Sequence, residues 1–230
     1  MNESAPQDTA ARNLSDAIAA YTRGDYATAY CMFLQDAEEG DADAQAWLAA
    51  LYASGSGVVA SLATAFDWYL RAAEKGHTQA QTNVGAMLVM GQGIHQDRER
   101  GIAWLQKAAD AGDPMAQYNL ASLYAKGDGT PQDLPRAAEL YRKAAETGHY
   151  PSQARLGHLY AHGIGLEKNR ISAFAWLSLA ARHGVGAALT ALEAVVSQMS
   201  VEEKQSGLAL AQRLGSRTSS TGNTLNPLPA

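Results

Sequence analysis

The chain has 230 residues, of which 47% are hydrophobic, so it has enough apolar material for a sizeable core. Its net charge is −5, and it contains no cluster of Lys and Arg, which argues against nucleic acids and anionic membranes as main partners. The single cysteine, Cys31, excludes an intrachain disulfide, and its sequence neighbours predict a small side chain in the core.

No stretch of the chain approaches the roughly 20 apolar residues that a membrane-spanning helix needs. The first residues lack both the basic and the apolar regions of a signal peptide. We therefore expect a soluble cytoplasmic protein, or a periplasmic one if a signal peptide has been removed.

Glycine recurs every 36 residues along the chain, and a G-x-G pair recurs in the same frame. The single glycines are Gly40, Gly76, Gly112, Gly148 and Gly184, and the pairs are Gly55/Gly57, Gly91/Gly93, Gly127/Gly129 and Gly163/Gly165. A period of this length is typical of stacked two-helix units, none of which buries its apolar face alone. Function is therefore expected on an extended surface rather than in a catalytic pocket.

In chain order, the pattern predicts a flexible segment, a repeat array with capping helices at both ends, and a disordered tail. The boundaries are 1–8 for the flexible N-terminus, 9–214 for the array and 215–230 for the tail; within the array, 9–40 is a capping helix pair, 41–75, 77–111, 113–147 and 149–183 are repeats, and 186–214 forms the C-terminal capping helices.

Both helices of each unit have start and stop signals. Residues of N-cap type, or histidine in the same frame, open the helices at Asp25, Asp41, Ser61, His77, Asp97, Asp113, Asp133, His149 and Asn169. The repeat glycines are expected to end the helices in the left-handed conformation. Trp104 belongs to the apolar stripe of its helix and is expected to be buried. In the last segment, Ser200 and Glu203 form a capping-box pattern.

The segment Leu120-Ala121-Ser122-Leu123-Tyr124-Ala125-Lys126-Gly127-Asp128-Gly129, with Ala116-Gln117 before it and Ala144-Ala145 after it, resembles the Sel1-like repeat. This family is a 36-residue relative of the tetratricopeptide repeat, and the resemblance covers roughly residues 25–199. It implies an all-α fold, a right-handed α-solenoid of stacked antiparallel helix pairs. Both ends depart from the pattern, at Gly24-Asp25 and after Gly184, which indicates caps.

The sequence has none of the common catalytic or cofactor-binding motifs. The G-x-G pairs lack the further residues of a phosphate-binding loop, and Ser-x-x-Lys and G-x-S-x-G are absent. His158 and His162 lie one turn apart, but a protein metal site would need a third and a fourth ligand, and H-E-x-x-H and C-x-x-C are absent. We therefore expect no catalytic residue, no cofactor and no metal.

The resemblance to tetratricopeptide repeats implies that the helix before each G-x-G lines a concave groove that binds a peptide or partner protein. The predicted binding residues are Trp47, Asn83, Tyr118, Asn119, Ser122, Lys126, Arg155, His158 and His162. Amide N–H groups and cations bind anionic oxygens, so an acidic or C-terminal segment is the expected ligand.

The first hypothesis is a monomeric, non-enzymatic adaptor, of the kind that Sel1-like proteins supply to bacterial signalling, envelope and secretion complexes. One alternative is a cell-wall or β-lactam hydrolase, as some cysteine-rich relatives have been described. The other alternative is a self-assembling structural array, because an uncapped end would expose apolar surface.

Overall fold

The computed structural model describes residues 6–221, with side chains from Leu14 to Arg217. Within that range the fold consists of twelve α-helices and contains no strand, which confirms the all-α prediction. The helices are α1 (Pro6–Thr22), α2 (Tyr26–Glu39), α3 (Ala42–Ser54), α4 (Leu62–Glu74), α5 (Thr78–Met90), α6 (Arg98–Asp110), α7 (Pro114–Lys126), α8 (Leu134–Glu146), α9 (Tyr150–His162), α10 (Arg170–Arg182), α11 (Gly186–Val196) and α12 (Val201–Thr221). Among the described helices, none combines the length and the apolar character that crossing a bilayer requires.

The chain divides into two compact units, one ending at Ala108 and the other beginning at Ala109. In the first unit, α2 packs against α1 and α3, and α4 packs against α3 and α5. In the second unit, α8 packs against α7 and α9, and α10 packs against α9, α11 and α12. Helix pairs therefore stack in sequence order within each unit, which is the packing expected of an α-solenoid.

The predicted helix starts are confirmed by their capping hydrogen bonds. Eight of the nine predicted N-cap side chains accept a hydrogen bond from the backbone N–H three residues later. The exception is His149, whose Nδ1 lies 2.8 Å from Ser152 Oγ instead. The capping box is also present, because the Ser200 N–H donates to Glu203 Oε2 and the Glu203 N–H donates to Ser200 Oγ.

The repeat glycines all have positive φ, as predicted. The value ranges from +81° to +99° at the five single glycines and from +69° to +75° at the eight G-x-G glycines. After each G-x-G, the next N-cap residue donates its backbone N–H to a carbonyl near the end of the preceding helix, as in Ser61 to Tyr52 and Asn169 to Tyr160, both at 2.9 Å. The G-x-G loops are therefore closed corners with a repeated geometry.

A glutamine in each repeat ties the start of one helix to the end of the helix before it. Its Nε2 donates to an alanine carbonyl eight residues earlier, at 3.0 to 3.2 Å. The four pairs are Gln45 with Ala37, Gln81 with Ala73, Gln117 with Ala109, and Gln153 with Ala145. These alanines lie in the last turn of their helices, where backbone carbonyls lack intrahelical partners.

Two core predictions are wrong. Cys31 is exposed, because the buried face of α2 carries Ala29 and Phe33, and a helical residue two positions from Phe33 points to the opposite side. Trp104 is only half-buried, at the edge of the core, where Lys107 Nζ lies 4.3 Å from the ring centroid. Its neighbour Leu105 is the fully buried residue of that turn, at 1% exposure.

The helical region extends further at both ends than the sequence predicts. Helix α1 begins at Pro6, within the segment 1–8 that was expected to be flexible. Helix α12 continues to Thr221, so residues 215–221 of the predicted tail are helical. Extension of an existing helix needs no new nucleation step, so a helix can continue past a change in composition. Residues 1–5 and 222–230 lie outside the described part of the chain.

Candidate functional site

Two of the nine predicted binding residues, Trp47 and Asn83, lie in the first unit. Trp47 is in the core and not on a binding surface: it is 3% exposed, and its ring stacks on Phe33 with 5.4 Å between centroids and 1° between planes. Tyr21 covers it from α1 at 5.1 Å. The capping helices α1 and α2 bury this position, which the repeat pattern of α3 alone does not reveal.

Asn83 is half-buried and engaged with a neighbouring tyrosine. Burial raises the pKa of Tyr69 to about 12, an effect that a hydrogen bond from the Asn83 side chain partly offsets. The amide of Asn83 thus helps to satisfy a buried phenol. A ligand at this position would compete with Tyr69 for the amide.

The other seven predicted residues lie in the second unit, on α7 and α9. Helix α7 carries Tyr118, Asn119, Ser122 and Lys126, and α9 carries Arg155, His158 and His162. Lys126 and the three α9 residues are exposed, whereas the other three are half-buried.

Tyr141 on α8 joins two of the α7 residues, Tyr118 and Ser122, into one cluster. The Tyr118 ring meets the Tyr141 ring edge-on at 5.6 Å and the His149 ring at 5.3 Å. Ser122 Oγ lies 3.0 Å from the Tyr118 carbonyl oxygen and 2.8 Å from the Tyr141 hydroxyl. Because a carbonyl only accepts, the Ser122 hydroxyl donates to Tyr118, whereas either hydroxyl can be the donor between Ser122 and Tyr141.

Arg155 connects α9 to this cluster electrostatically. Burial raises the pKa of the Tyr141 hydroxyl, and the Ser122 hydrogen bond and the positive charge of Arg155 oppose that rise. The Arg155 guanidinium itself is exposed. A cation open to solvent thus lies beside a cluster of buried and half-buried hydroxyl and aromatic groups.

The two histidines of α9 form a pair beyond Arg155. Their ring centroids are 4.2 Å apart and the planes are tilted by 38°. His162 Nδ1 lies 2.9 Å from the backbone carbonyl oxygen of His158. Burial lowers the pKa of His158, and the neighbouring His162 and Arg155 lower it further, which favours the uncharged ring.

We define the polar face of the second unit as Tyr118, Asn119, Ser122, Tyr141 and Arg155. Tyr141 was missed as a site residue, although the repeat contains a signal for it. Tyr69 occupies the same position two repeats earlier, and each tyrosine interacts with the residue 14 positions later, Asn83 or Arg155. This contact joins residues of two helices, so the pattern of apolar residues along one helix does not predict it.

Among the side chains that the structure describes, no group of three or more His, Cys, Asp and Glu is arranged to hold a metal ion. The Ser122 hydroxyl contacts the Tyr118 carbonyl oxygen and the Tyr141 hydroxyl, neither of which is a base that would activate it as a nucleophile. The polar face is equipped with hydrogen-bond donors, aromatic surface and one cation, which are groups suited to binding.

A model of the Sel1 repeat matches four consecutive segments, residues 42–77, 78–113, 114–149 and 151–185, which together make up more than half of the chain. Each segment contains one helix pair, from α3/α4 to α9/α10. No curated protein matches the chain.

Several solved structures are similar. A protective antigen of uropathogenic Escherichia coli with an SLR fold is 28% identical, with a TM-score of 0.79 over 93% of this chain and 49% of that chain. A Sel1 repeat protein from Oxalobacter formigenes is 35% identical, with a TM-score of 0.70 over 82% of this chain and 58% of that one. An immunity protein of Pseudomonas aeruginosa, 20% identical, shares the fold with a TM-score of 0.52 over 93% of this chain and 89% of that one. The chain thus spans only about half the length of the first two proteins.

Proposed function

The chain belongs to the Sel1 repeat family, and we propose that it is a non-enzymatic scaffold that binds a segment of a partner protein on the polar face of the second unit. The observation that carries this proposal is the exposed Arg155 beside the half-buried Tyr118, Ser122 and buried Tyr141, contributed by three consecutive helices. Aromatic and arginine side chains are enriched at the residues that dominate protein interfaces.

The chemistry of the face favours an acidic segment or a free C-terminus. A guanidinium donates two parallel hydrogen bonds to a carboxylate, and the Asn119 amide, half-buried on α7, adds a neutral donor. The exposed Lys126 contributes a second positive charge at the end of α7. The Tyr118 ring supplies apolar contact surface for a neighbouring side chain of the ligand.

A double substitution tests the proposal. Peptides with acidic residues and with free or amidated C-termini are titrated into the protein, and binding is measured by calorimetry. Asn119→Ala combined with Arg155→Ala should weaken binding at least about tenfold, because a hydrogen bond to a charged group contributes roughly 1.5–3 kcal/mol. Affinity should fall as salt rises, because exposed charges are screened.

Arg182→Ala is the matched control, since Arg182 is exposed on α10 of the same unit. This variant should bind like the wild type. Equal affinity of the double variant and the wild type, with unchanged circular dichroism, would move the binding surface away from the polar face. Steady turnover of a cell-wall or β-lactam substrate by the purified protein would contradict the non-enzymatic part of the proposal.

A further inference from the structure

His158 and His162 have the spacing and geometry of a metal chelate. Residues four apart on a helix lie one above the other, with Cβ atoms about 5–6 Å apart. The ring centroids are 4.2 Å apart and the ring planes are tilted by 38°, so the two imidazoles lie side by side. Both side chains are exposed, so a small torsional change in either one can direct two ring nitrogens at one ion.

The hydrogen bond of His162 prepares this ring as a ligand. Its Nδ1 lies 2.9 Å from the His158 carbonyl oxygen, and because a carbonyl only accepts, Nδ1 must carry the proton. In the neutral tautomer with the proton on Nδ1, the lone pair is on Nε2, at the outer end of the side chain. Histidines that ligate metals commonly donate their other ring N–H to a carbonyl or carboxylate in this way, which fixes the tautomer and the ring orientation.

The other four histidines of the chain are engaged singly. His77 accepts from the Ala80 N–H and lies 3.2 Å from Asp43, His95 contacts the Gln96 carbonyl, and His149 contacts Ser152. His183 stacks on the Tyr150 ring at 3.7 Å. Within the described residues, the α9 pair is therefore the one place where two imidazoles lie side by side.

We propose that His158 and His162 form a two-histidine chelate for a divalent first-row transition ion, Cu²⁺, Ni²⁺ or Zn²⁺, with water in the remaining positions. Imidazole suits these ions, whereas Mg²⁺ and Ca²⁺ prefer oxygen ligands. Two ligands on one rigid helix bind far more tightly than either ligand alone, because the second bond forms intramolecularly. A chelate of this kind does not need the third and fourth protein ligands that a structural zinc site has.

Arg155 provides a distinctive property of this site. It lies three residues before His158 on the same helix face, and its fixed positive charge opposes the binding of a cation. Removal of this charge should therefore strengthen metal binding. A cation held by unrelated surface groups elsewhere would not respond to this substitution.

The experiment uses the untagged full-length protein and the ion alone, so its outcome does not depend on whether the polar face binds a peptide. Cu²⁺ and Ni²⁺ are titrated by calorimetry, and nitrogen hyperfine coupling to Cu²⁺ is counted by electron paramagnetic resonance. The wild type should bind one ion tightly with two coupled imidazoles. His158→Ala or His162→Ala should lower the affinity by roughly 10² and leave one coupled imidazole.

Two further variants sharpen the test. Arg155→Gln should raise the affinity about threefold through the loss of one nearby like charge, and His183→Ala, the matched control in the same unit, should leave it unchanged. The proposal is overturned if either α9 histidine can be removed without loss of affinity, if His183→Ala weakens binding equally, or if Mg²⁺ binds as tightly as Ni²⁺.

Discussion

At the scale of single residues, His149 shows how one side chain makes stability depend on pH. It holds an N-cap position but does not accept a backbone N–H, and it lies against the Tyr118 ring, Ser152 Oγ and the charge of Asp113. Burial lowers its pKa, and Asp113 offsets part of this effect. The folded protein therefore holds the His149 proton less tightly than the unfolded chain does.

The expected consequence is a loss of stability in acid. The unfolded chain binds more protons below its ordinary histidine pKa of about 6.5, so the free energy of unfolding falls as the pH drops through that value. His149→Asn has no titrating group at this position and should lose less stability than the wild type between about pH 7.5 and pH 5.0. Urea unfolding at both pH values measures the difference, and equal losses in the two proteins would contradict the expectation. Part of the loss should remain, since burial also lowers the pKa of His158.

At the scale of the elements, the two glycines of one corner have different tasks. Gly163 ends α9 with φ +71°, and a Cβ there would come no closer than 3.3 Å to Lys168. Gly165 has φ +69°, and a Cβ there would lie 2.2 Å from the carbonyl oxygen of Leu134, in the first turn of α8. The second glycine therefore lets the loop lie directly on the first turn of an earlier helix, in addition to turning the chain.

Alanine at these two positions should separate backbone strain from steric overlap. Gly163→Ala should cost roughly 1–2 kcal/mol for the left-handed conformation, and a slight shift of Lys168 relieves the 3.3 Å contact. Gly165→Ala pays the same strain and must also displace the Leu134 backbone, which adds roughly 1–3 kcal/mol. Urea denaturation of both variants gives the two free energies of unfolding. Equal destabilisation would mean that the loop does not pack against α8 as closely as the structure shows.

The packing of α5 against α6 leads to a second prediction at this scale. Leu105 is 1% exposed, and its Cγ would lie 2.7 Å from a Cβ at Gly85, so the two helices approach closely at this point. Leu105→Ala should cost roughly 2–5 kcal/mol. Trp104→Ala should cost less despite the larger side chain, because the indole is half-buried and partly covered by Lys107. Thermal and urea unfolding of the pair decide the order, and a larger loss in the tryptophan variant would contradict it.

At the scale of the whole molecule, the features that could be predicted from the sequence are those that depend on short segments. N-caps and left-handed glycines act within four residues, so the helix starts and corners follow from the repeat. Trp47 was misjudged and Tyr141 was missed because their surroundings come from other helices. The hydrogen bond between His162 and the His158 carbonyl lies within one helical turn. The residue spacing alone does not predict it, because it depends on the side-chain torsions of His162.

The hydrogen bond from the repeat glutamine to the alanine eight residues earlier occurs in both units, and the sequence analysis does not predict it. Gln153 is 1% exposed, and its Oε1 is buried without a hydrogen-bond partner, as are those of Gln45 and Gln117. Gln81 makes the same bond through Nε2 but is half-buried. A buried amide thus gains one hydrogen bond through its nitrogen and leaves an acceptor unsatisfied in three of the four repeats.

Because of this difference, the same substitution should change stability differently at the equivalent positions Gln81 and Gln153. Gln→Met keeps the length of the side chain and removes both the Nε2 donor and the Oε1 acceptor. At Gln81 the loss of the hydrogen bond should lower stability by roughly 0.5–1.5 kcal/mol. At Gln153 a similar loss is offset by removal of a buried unsatisfied oxygen, which costs roughly 1–3 kcal/mol in the wild type, so the variant should be as stable as the wild type or more stable. Urea unfolding of the two variants provides the comparison. Gln153→Met could instead be the less stable of the two variants. That result would mean that the buried amide oxygen has a hydrogen-bond partner in solution, and that the bond to Ala145 stabilises the protein more than the half-buried bond from Gln81 to Ala73 does.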